Sequence, residues 1–301
     1  MVTRLNDWYR TLRAANLPTV WADVLLGAGL AAGTIGWNLA AVTIGVSCLY
    51  LGGMAFNDAV DVAFDRANRS TRPVASGRIS PRLAMAVASM LMLAGFALIA
   101  GVWLRGGGVT ETGPAASVWT MHAGLALVVA ISLYQWLHRG SVVLATLCMA
   151  ACRALVPLLT SLAVSGGIPT LVWIAAAAIG CWTVGITLTG RGERGGERVV
   201  SGNIIWLSVA SLATVPLAFL SVTGDFAGMA AGLFILLVGL LPVIYRRYTA
   251  GQLGQAVCWS IAGLAVLDSA ILLSCGLPEW SAAAMVCAAL ALGGQRLGGG
   301  S

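Results

Sequence analysis

The sequence predicts an all-α, polytopic membrane bundle, and three observations carry that expectation. The 301-residue chain is 59% hydrophobic and only 9% charged, whereas an average soluble domain carries roughly 25% charged residues. So little charge cannot cover a soluble surface, and the excess apolar surface needs lipid as its solvent. The apolar runs are long and continuous rather than alternating. A backbone in hydrocarbon must satisfy its own hydrogen bonds, so these runs read as helices rather than barrel strands. The scarce charge is all arginine and acid, 17 and 11 residues with no lysine, and it lies unevenly between the runs.

A hydrocarbon core of about 30 Å takes roughly 20 apolar residues per helix. The opening RLNDWYRTLRAANLP is too polar to span. With Trp8 and Tyr9 set among Arg4, Arg10 and Arg13, residues 1–16 read as an interfacial arm. The first apolar run follows this arm, shows no cleavage pattern and leads into many more, so a signal peptide is not expected. Spans are expected at 18–37, 38–56, 82–104, 118–137, 141–164, 168–188, 203–222, 227–245 and 254–275. A shorter run at 280–293 is a tenth span, a half-helix or an interfacial piece. Residues 1–293 then form a single transmembrane domain, and 294–301, ending in GGGS, a flexible tail.

With the amino terminus inside, the loop arginines from Arg4 to Arg247 fall on one side and only Arg105 on the other. That is a strong positive-inside bias. A tenth span would bring Arg296 inside as well. The chain is therefore expected in a cell inner or plasma membrane as a multi-pass protein. Its amino terminus and the two polar loops, 57–81 and 189–202, would share the cytoplasmic face. The net charge of +6 is explained by topology, and no nucleic-acid partner is expected. The seven cysteines are scattered through apolar runs. Cys148 and Cys152 lie one turn apart without a histidine to complete a ligand pattern, and read as small buried apolar residues.

The first polar loop packs three aspartates and four arginines into 22 residues, NDAVDVAFDRANRSTRPVASGR. Asp58, Asp61 and Asp65 are three and four apart and fall in one narrow helical stripe. Carboxylates so placed repel each other unless a cation joins them. Oxygen-only ligands suit Mg²⁺, which is completed by waters and substrate phosphates. Arg66, Arg69, Arg72 and Arg78 supply forked donors for phosphate oxygens. An ordinary solvated loop accounts for the arginines but not for the aligned aspartates. In the second loop, TGRGERGGERVVSGN, Glu193 and Glu197 are four apart among Arg191, Arg194 and Arg198. Its glycines weaken a helix there and favour a cover or a backbone approach to phosphate.

The first loop resembles the first aspartate motif of the UbiA superfamily of intramembrane prenyltransferases. Asn57, Asp58, Asp61 and Asp65 match its NDxxDxxxD, and Arg72, Pro73, Ser76 and Gly77 match the arginine-proline and serine-glycine that follow. NLPTVWADVLLG near the start and CRALVPLL in the fifth span are also similar. The resemblance implies a nine-helix bundle around a cavity opening sideways to lipid. It also implies Mg²⁺ bridging a prenyl diphosphate lipid to two acidic motifs, and an allylic cation captured by an acceptor whose identity the sequence does not give. The catalytic set would be Asn57, Asp58, Asp61 and Arg72. Metal ligands would be Asp58, Asp61, Asp65, Glu193 and Glu197, and diphosphate ligands Arg66, Arg69, Arg72, Arg78, Arg191 and Arg194. The second motif departs from the family's DxxxD, with only Glu193 and Glu197 in its place.

Three charges fall inside spans, where each is costly unless partnered or facing a polar cavity. Arg153 and Asp268 lie at similar depth and read either as partners that lock helices or as cavity groups, while Asp23, nearer the cytoplasmic end of the first span, reads as a cavity group. Trp21, Asn38, Tyr134, Gln135 and Trp182 are further pocket candidates. His122 and His138, at the two ends of the fourth span, read as interfacial. Two other functions remain open. A terpene cyclase of the same family would use the ionisation step without an acceptor. A transporter of an anionic metabolite would use the arginine loops as a vestibule, although unmetallated aspartates would repel its cargo.

Overall fold

The computed structural model describes residues 2–68, 71–106, 118–195 and 226–297, and these are helices joined by short turns, with no strand among them. Helix α1 (Val2–Thr11) is the amphipathic arm, and a 3₁₀ turn at Ala14–Asn16 leads into α2 (Leu17–Leu30). There follow α3 (Trp37–Val60), the short α4 (Val62–Ala67), α5 (Pro81–Gly106), α6 (Val118–Leu137), α7 (Val142–Ser165) and α8 (Thr170–Gly195). The last group is α9 (Phe226–Phe234), a π-helical segment at Ile235–Leu240, α10 (Leu241–Thr249), α11 (Leu253–Ser274) and α12 (Pro278–Leu297). Among the described residues, seven helices are long and apolar enough to cross a membrane.

Helix α2 sits at the centre, packed against α3, α7, α11 and α12. It reaches this depth because its residues are small. A Cβ added at Gly27 would lie 2.5 Å from the Pro157 carbonyl oxygen of α7, so only glycine permits this approach. The same device joins α3 to α5, where a Cβ on Gly95 would lie 2.6 Å from the Gly45 carbonyl. Small residues at helix crossings are how helices associate in lipid, where burial of apolar area gives no advantage. Leu93, Met90 and Leu104 of α5 point outward as a lipid-facing surface.

Several boundaries differ from the sequence reading. The first span is only 14 residues long, because the chain turns after Leu30 with Ala32 at φ 49°. The 280–293 run is part of a full 20-residue helix. That helix extends into the expected tail, since Tyr9 Oη donates to the Gly294 carbonyl at 3.2 Å and Gln295 Nε2 to Asn16 Oδ1 at 2.8 Å. Helix α8 continues through Gly190, Gly192 and Gly195; each glycine weakens a helix by about 1 kcal/mol without breaking it. The expected span at 203–222 lies outside the described residues.

Candidate functional site

The motif lies where α3 ends. Asn57 and Asp58 occupy its last turn, Asp61 is the break between α3 and α4, and Asp65 lies within α4. All four are buried. The break separates the three aspartates. Asp58 and Asp65, two turns apart, keep a common face, and Arg72 sits between them. Its Nη1 lies 3.0 Å from Asp65 Oδ2 and 3.5 Å from Asp58 Oδ1. Arg13 Nη2 approaches the same Asp58 oxygen at 3.8 Å.

Asp61 turns away from that face. Its Oδ1 receives Arg139 Nη2 at 2.7 Å and Nε at 3.1 Å, with His138 Nε2 at 2.8 Å, while Asn57 Nδ2 donates to Oδ2 at 3.2 Å. Burial alone would push the Asp61 carboxyl up, but the hydrogen bonds from Arg139 and His138 outweigh it and hold the group below the ordinary aspartate range. The single stripe expected from the spacing is therefore split. Asp58 and Asp65 share one cation, and Asp61 anchors the corner between α6 and α7. Among the described residues no three histidine, cysteine or acidic side chains converge as a ready metal cage.

The residues present nonetheless fit a Mg²⁺ ion. The donors are oxygens only, and a positive guanidinium nitrogen stands at the point between Asp58 and Asp65 that a cation would take. Asn57 Oδ1 is buried with no partner.

The loop arginines divide by task. Arg66 Nε donates to the Ala75 carbonyl at 3.0 Å, and Arg78 binds the Thr71 carbonyl at 3.0 Å and Asp7 at 2.8 Å. Both hold the loop that presents Arg72, and Gly77 gives it the left-handed turn it needs at φ 80°. Arg191, Glu193 and Arg194 fall in the final turns of α8, while Arg69, Glu197 and Arg198 lie outside the described residues.

Beneath Arg13 a mostly apolar cavity opens between α2, α3, α6, α7, α8 and α11. Leu49, Ile131, Val156 and Leu264 are among its walls, and Arg13, Asn16, Tyr50, Tyr134, Gln135 and Arg153 are among its polar contacts. Of the five pocket candidates, only Tyr134 and Gln135 line it. Trp21, Asn38 and Trp182 instead hydrogen-bond other helices, to Ser47, Ala163 and Ser260. Arg153 pairs with Asp23 at 2.6 Å rather than with Asp268. Equal depth put Arg153 and Asp268 together, but the direction each side chain takes from its helix decides the partner. Asp268 is fully buried near Asp23, and neither of its carboxyl oxygens has a hydrogen-bond partner.

Sequence reasoning missed Arg13, His138 and Arg139. Arg139 and His138 close the α6–α7 corner, which the positive-inside rule alone explained away. Arg13 adopts φ 48°, a conformation that costs a non-glycine residue energy, and it delivers the side chain to Asp58. No linear pattern signals that turn.

These features define an integral-membrane helical bundle with an acid and arginine cluster over an apolar cavity. The UbiA prenyltransferase family pattern matches residues 15–193, and the chain belongs to that family. A 4-hydroxybenzoate octaprenyltransferase of Pectobacterium carotovorum is 27% identical over 78% of this chain and 80% of its own length. One from Methylibium petroleiphilum is 42% identical, but the match spans only 30% of this chain and 32% of that enzyme. Among solved structures, a UbiA homolog from Archaeoglobus fulgidus bound to GPP and Mg²⁺ superposes with a TM-score of 0.62 at 15% identity, covering 93% of this chain and 99% of the other. One from Aeropyrum pernix gives 0.63 at 16%, covering 85% and 96%. At such identities the likeness is one of fold.

Proposed function

We propose that the chain is a Mg²⁺-dependent prenyltransferase that ionises a prenyl diphosphate and passes the prenyl group to an acceptor, releasing diphosphate. The observation that carries this reading is the shared Arg72 between Asp58 and Asp65, adjoining an apolar cavity at Arg13. Mg²⁺ held by Asp58 and Asp65 would supply the charge that neutralises the departing diphosphate. Arg72 then leaves the carboxylates and, with Arg13, Arg69, Arg191 and Arg194, donates to diphosphate oxygens. Glu193 and Glu197 serve as the second acidic group. Asp61 fixes the α3–α4 break through Arg139 and His138 and so sets the direction of Asp58 and Asp65. Leu49, Ile131 and Val156 keep water from the allylic cation. The bundle has nine or ten spans in one domain, with the cluster on the cytoplasmic face.

The solved Archaeoglobus homologue with GPP and Mg²⁺ and the prenyltransferase names of the relatives support this reading. The test is release of diphosphate from geranyl diphosphate by the chain in proteoliposomes. Release that stops with EDTA and returns with Mg²⁺ is expected, and no release would sink the proposal. Mass spectrometry of the product separates transfer from cyclisation.

A further inference from the structure

Within the cavity of the proposed transferase, the α6 and α7 walls offer an acceptor the polar groups Tyr134, Gln135 and Arg153. Arg153 is the obvious anchor for an anion, yet it is already committed. Its Nη1 bonds Asp23 Oδ2 at 2.6 Å and its Nη2 bonds the Thr19 hydroxyl. Both Asp23 and Asp268 are fully buried, with Asp268 against Asp23. One carboxyl therefore pairs with the guanidinium, and a second lies close to that pair. If both are ionised, the trio carries a net negative charge. If they share one proton, it is neutral. At neither count does it offer net positive charge to an anionic acceptor, which at the first count would also meet repulsion in a site poor in water.

A second observation concerns the hydroxyl rather than the charge. Gln135 is buried, lines the cavity, and spends its amide nitrogen on the Gly53 carbonyl at 3.2 Å. Its Oε1 has no partner. A buried acceptor atom without a donor is costly, and a ligand O–H relieves it.

We infer that the acceptor is a neutral, hydroxyl-bearing molecule whose O–H is received by Gln135, and that Asp23 excludes carboxylate acceptors by neutralising Arg153. This rests on the transferase reading above, and it separates the chain from relatives whose names specify 4-hydroxybenzoate.

The experiment measures binding, so that it does not depend on turnover. The full chain in lipid nanodiscs, with Mg²⁺ and non-hydrolysable geranyl thiodiphosphate, is titrated with 4-hydroxybenzyl alcohol and with 4-hydroxybenzoate. The two probes differ by one charged group. Wild type is expected to bind the alcohol about tenfold more tightly, since like charge at a binding site is the usual device for rejecting a ligand. Asp23→Asn removes the carboxylate bonded to Arg153, leaving only Asp268 nearby, and should narrow that gap several-fold. Gln135→Met should weaken the alcohol about fivefold and leave geranyl thiodiphosphate binding unchanged. Wild type that binds the benzoate as tightly as the alcohol overturns the inference, and this comparison decides even where Asp23→Asn does not fold. An alcohol affinity untouched by Gln135→Met overturns the role of Gln135. Failure to bind geranyl thiodiphosphate at all overturns the transferase reading itself, a result distinct from the other two.

Discussion

Two clusters in this molecule join aspartates to arginines, and they are built on opposite terms. At the α3–α4 corner, Asp58, Asp61 and Asp65 meet Arg13, Arg72 and Arg139. The acids are buried but their partners reach solvent, with 28% of the Arg72 side chain and 46% of Arg139 exposed. In the bundle interior, Asp23 and Asp268 are fully buried and Arg153 reaches only the cavity. Arg153 is 13% exposed and Asp23 not at all, and three carboxyl oxygens lack a partner. The comparison teaches which cluster can move. An arginine that water can solvate can leave a carboxylate once another cation takes its place, as the proposed diphosphate binding requires of Arg72. An interior guanidinium cannot leave, because nothing replaces it.

That contrast breaks first if the interior charge is removed. Arg153→Met leaves two buried carboxyls without a cation, and removing one partner of a buried pair costs about 3–5 kcal/mol. A large loss in the thermal unfolding temperature in detergent is expected. Arg153→Lys keeps the charge but not the fork and should fall between. A stability equal to wild type in Arg153→Met would show the interior trio to be dispensable.

At the surface cluster the effect should appear in chemistry instead. Asp58→Ala is expected to lower Mg²⁺-dependent diphosphate release by about 100-fold or more, the scale on which lost transition-state charge stabilisation is felt. Its unfolding temperature should stay near that of wild type. Arg72→Ala comes next. Losing a charge-assisted contact of roughly 1.5–3 kcal/mol should weaken prenyl diphosphate binding about 10- to 100-fold. The neutral prenyl alcohol should bind both proteins alike. Unchanged diphosphate affinity would mean that Arg72 serves only to hold Asp58 and Asp65 in place.

The sequence revealed these two clusters to different degrees. The aspartate motif was legible because its members are near neighbours and the repeat of a helix relates them. Even so, spacing placed all three acids on one stripe, and the break at Asp61 gave one of them a separate partner. Arg13 and the His138–Arg139 corner were not legible, since each reaches the motif across 45 or more residues of chain. Interior charges could be recognised from their cost in hydrocarbon, and Arg153 was. Its partner was not, because depth along a helix follows from residue counting while direction around it depends on how the helices pack. Gly27, which lets α2 come close to α7, carries no signal of that contact in its own neighbourhood.

The smallest expected effect sharpens the contrast between the clusters by pH. Asp61 is held below its ordinary range by Arg139 and His138 despite its burial. A carboxyl whose folded value is depressed contributes stability that is present above its unfolded value, roughly 3.9, and lost as pH falls through the folded one. Arg139→Gln removes the permanent cation and two donors, one at 2.7 Å. Because Arg139 is half exposed, the loss is discounted to about 1 kcal/mol or less. Wild type should therefore unfold at a higher temperature than Arg139→Gln at pH 6 to 7. The gap should narrow below about pH 4, as Asp61 takes up its proton in the wild type and the pairing disappears from both proteins. Salt should narrow it too, since an exposed partner is screened. A gap that stays constant from pH 7 down to pH 3 would mean that Arg139 contributes through its bond to the Val60 carbonyl at 2.8 Å, a contact without a titrating partner, and the corner would then be held by backbone rather than by charge.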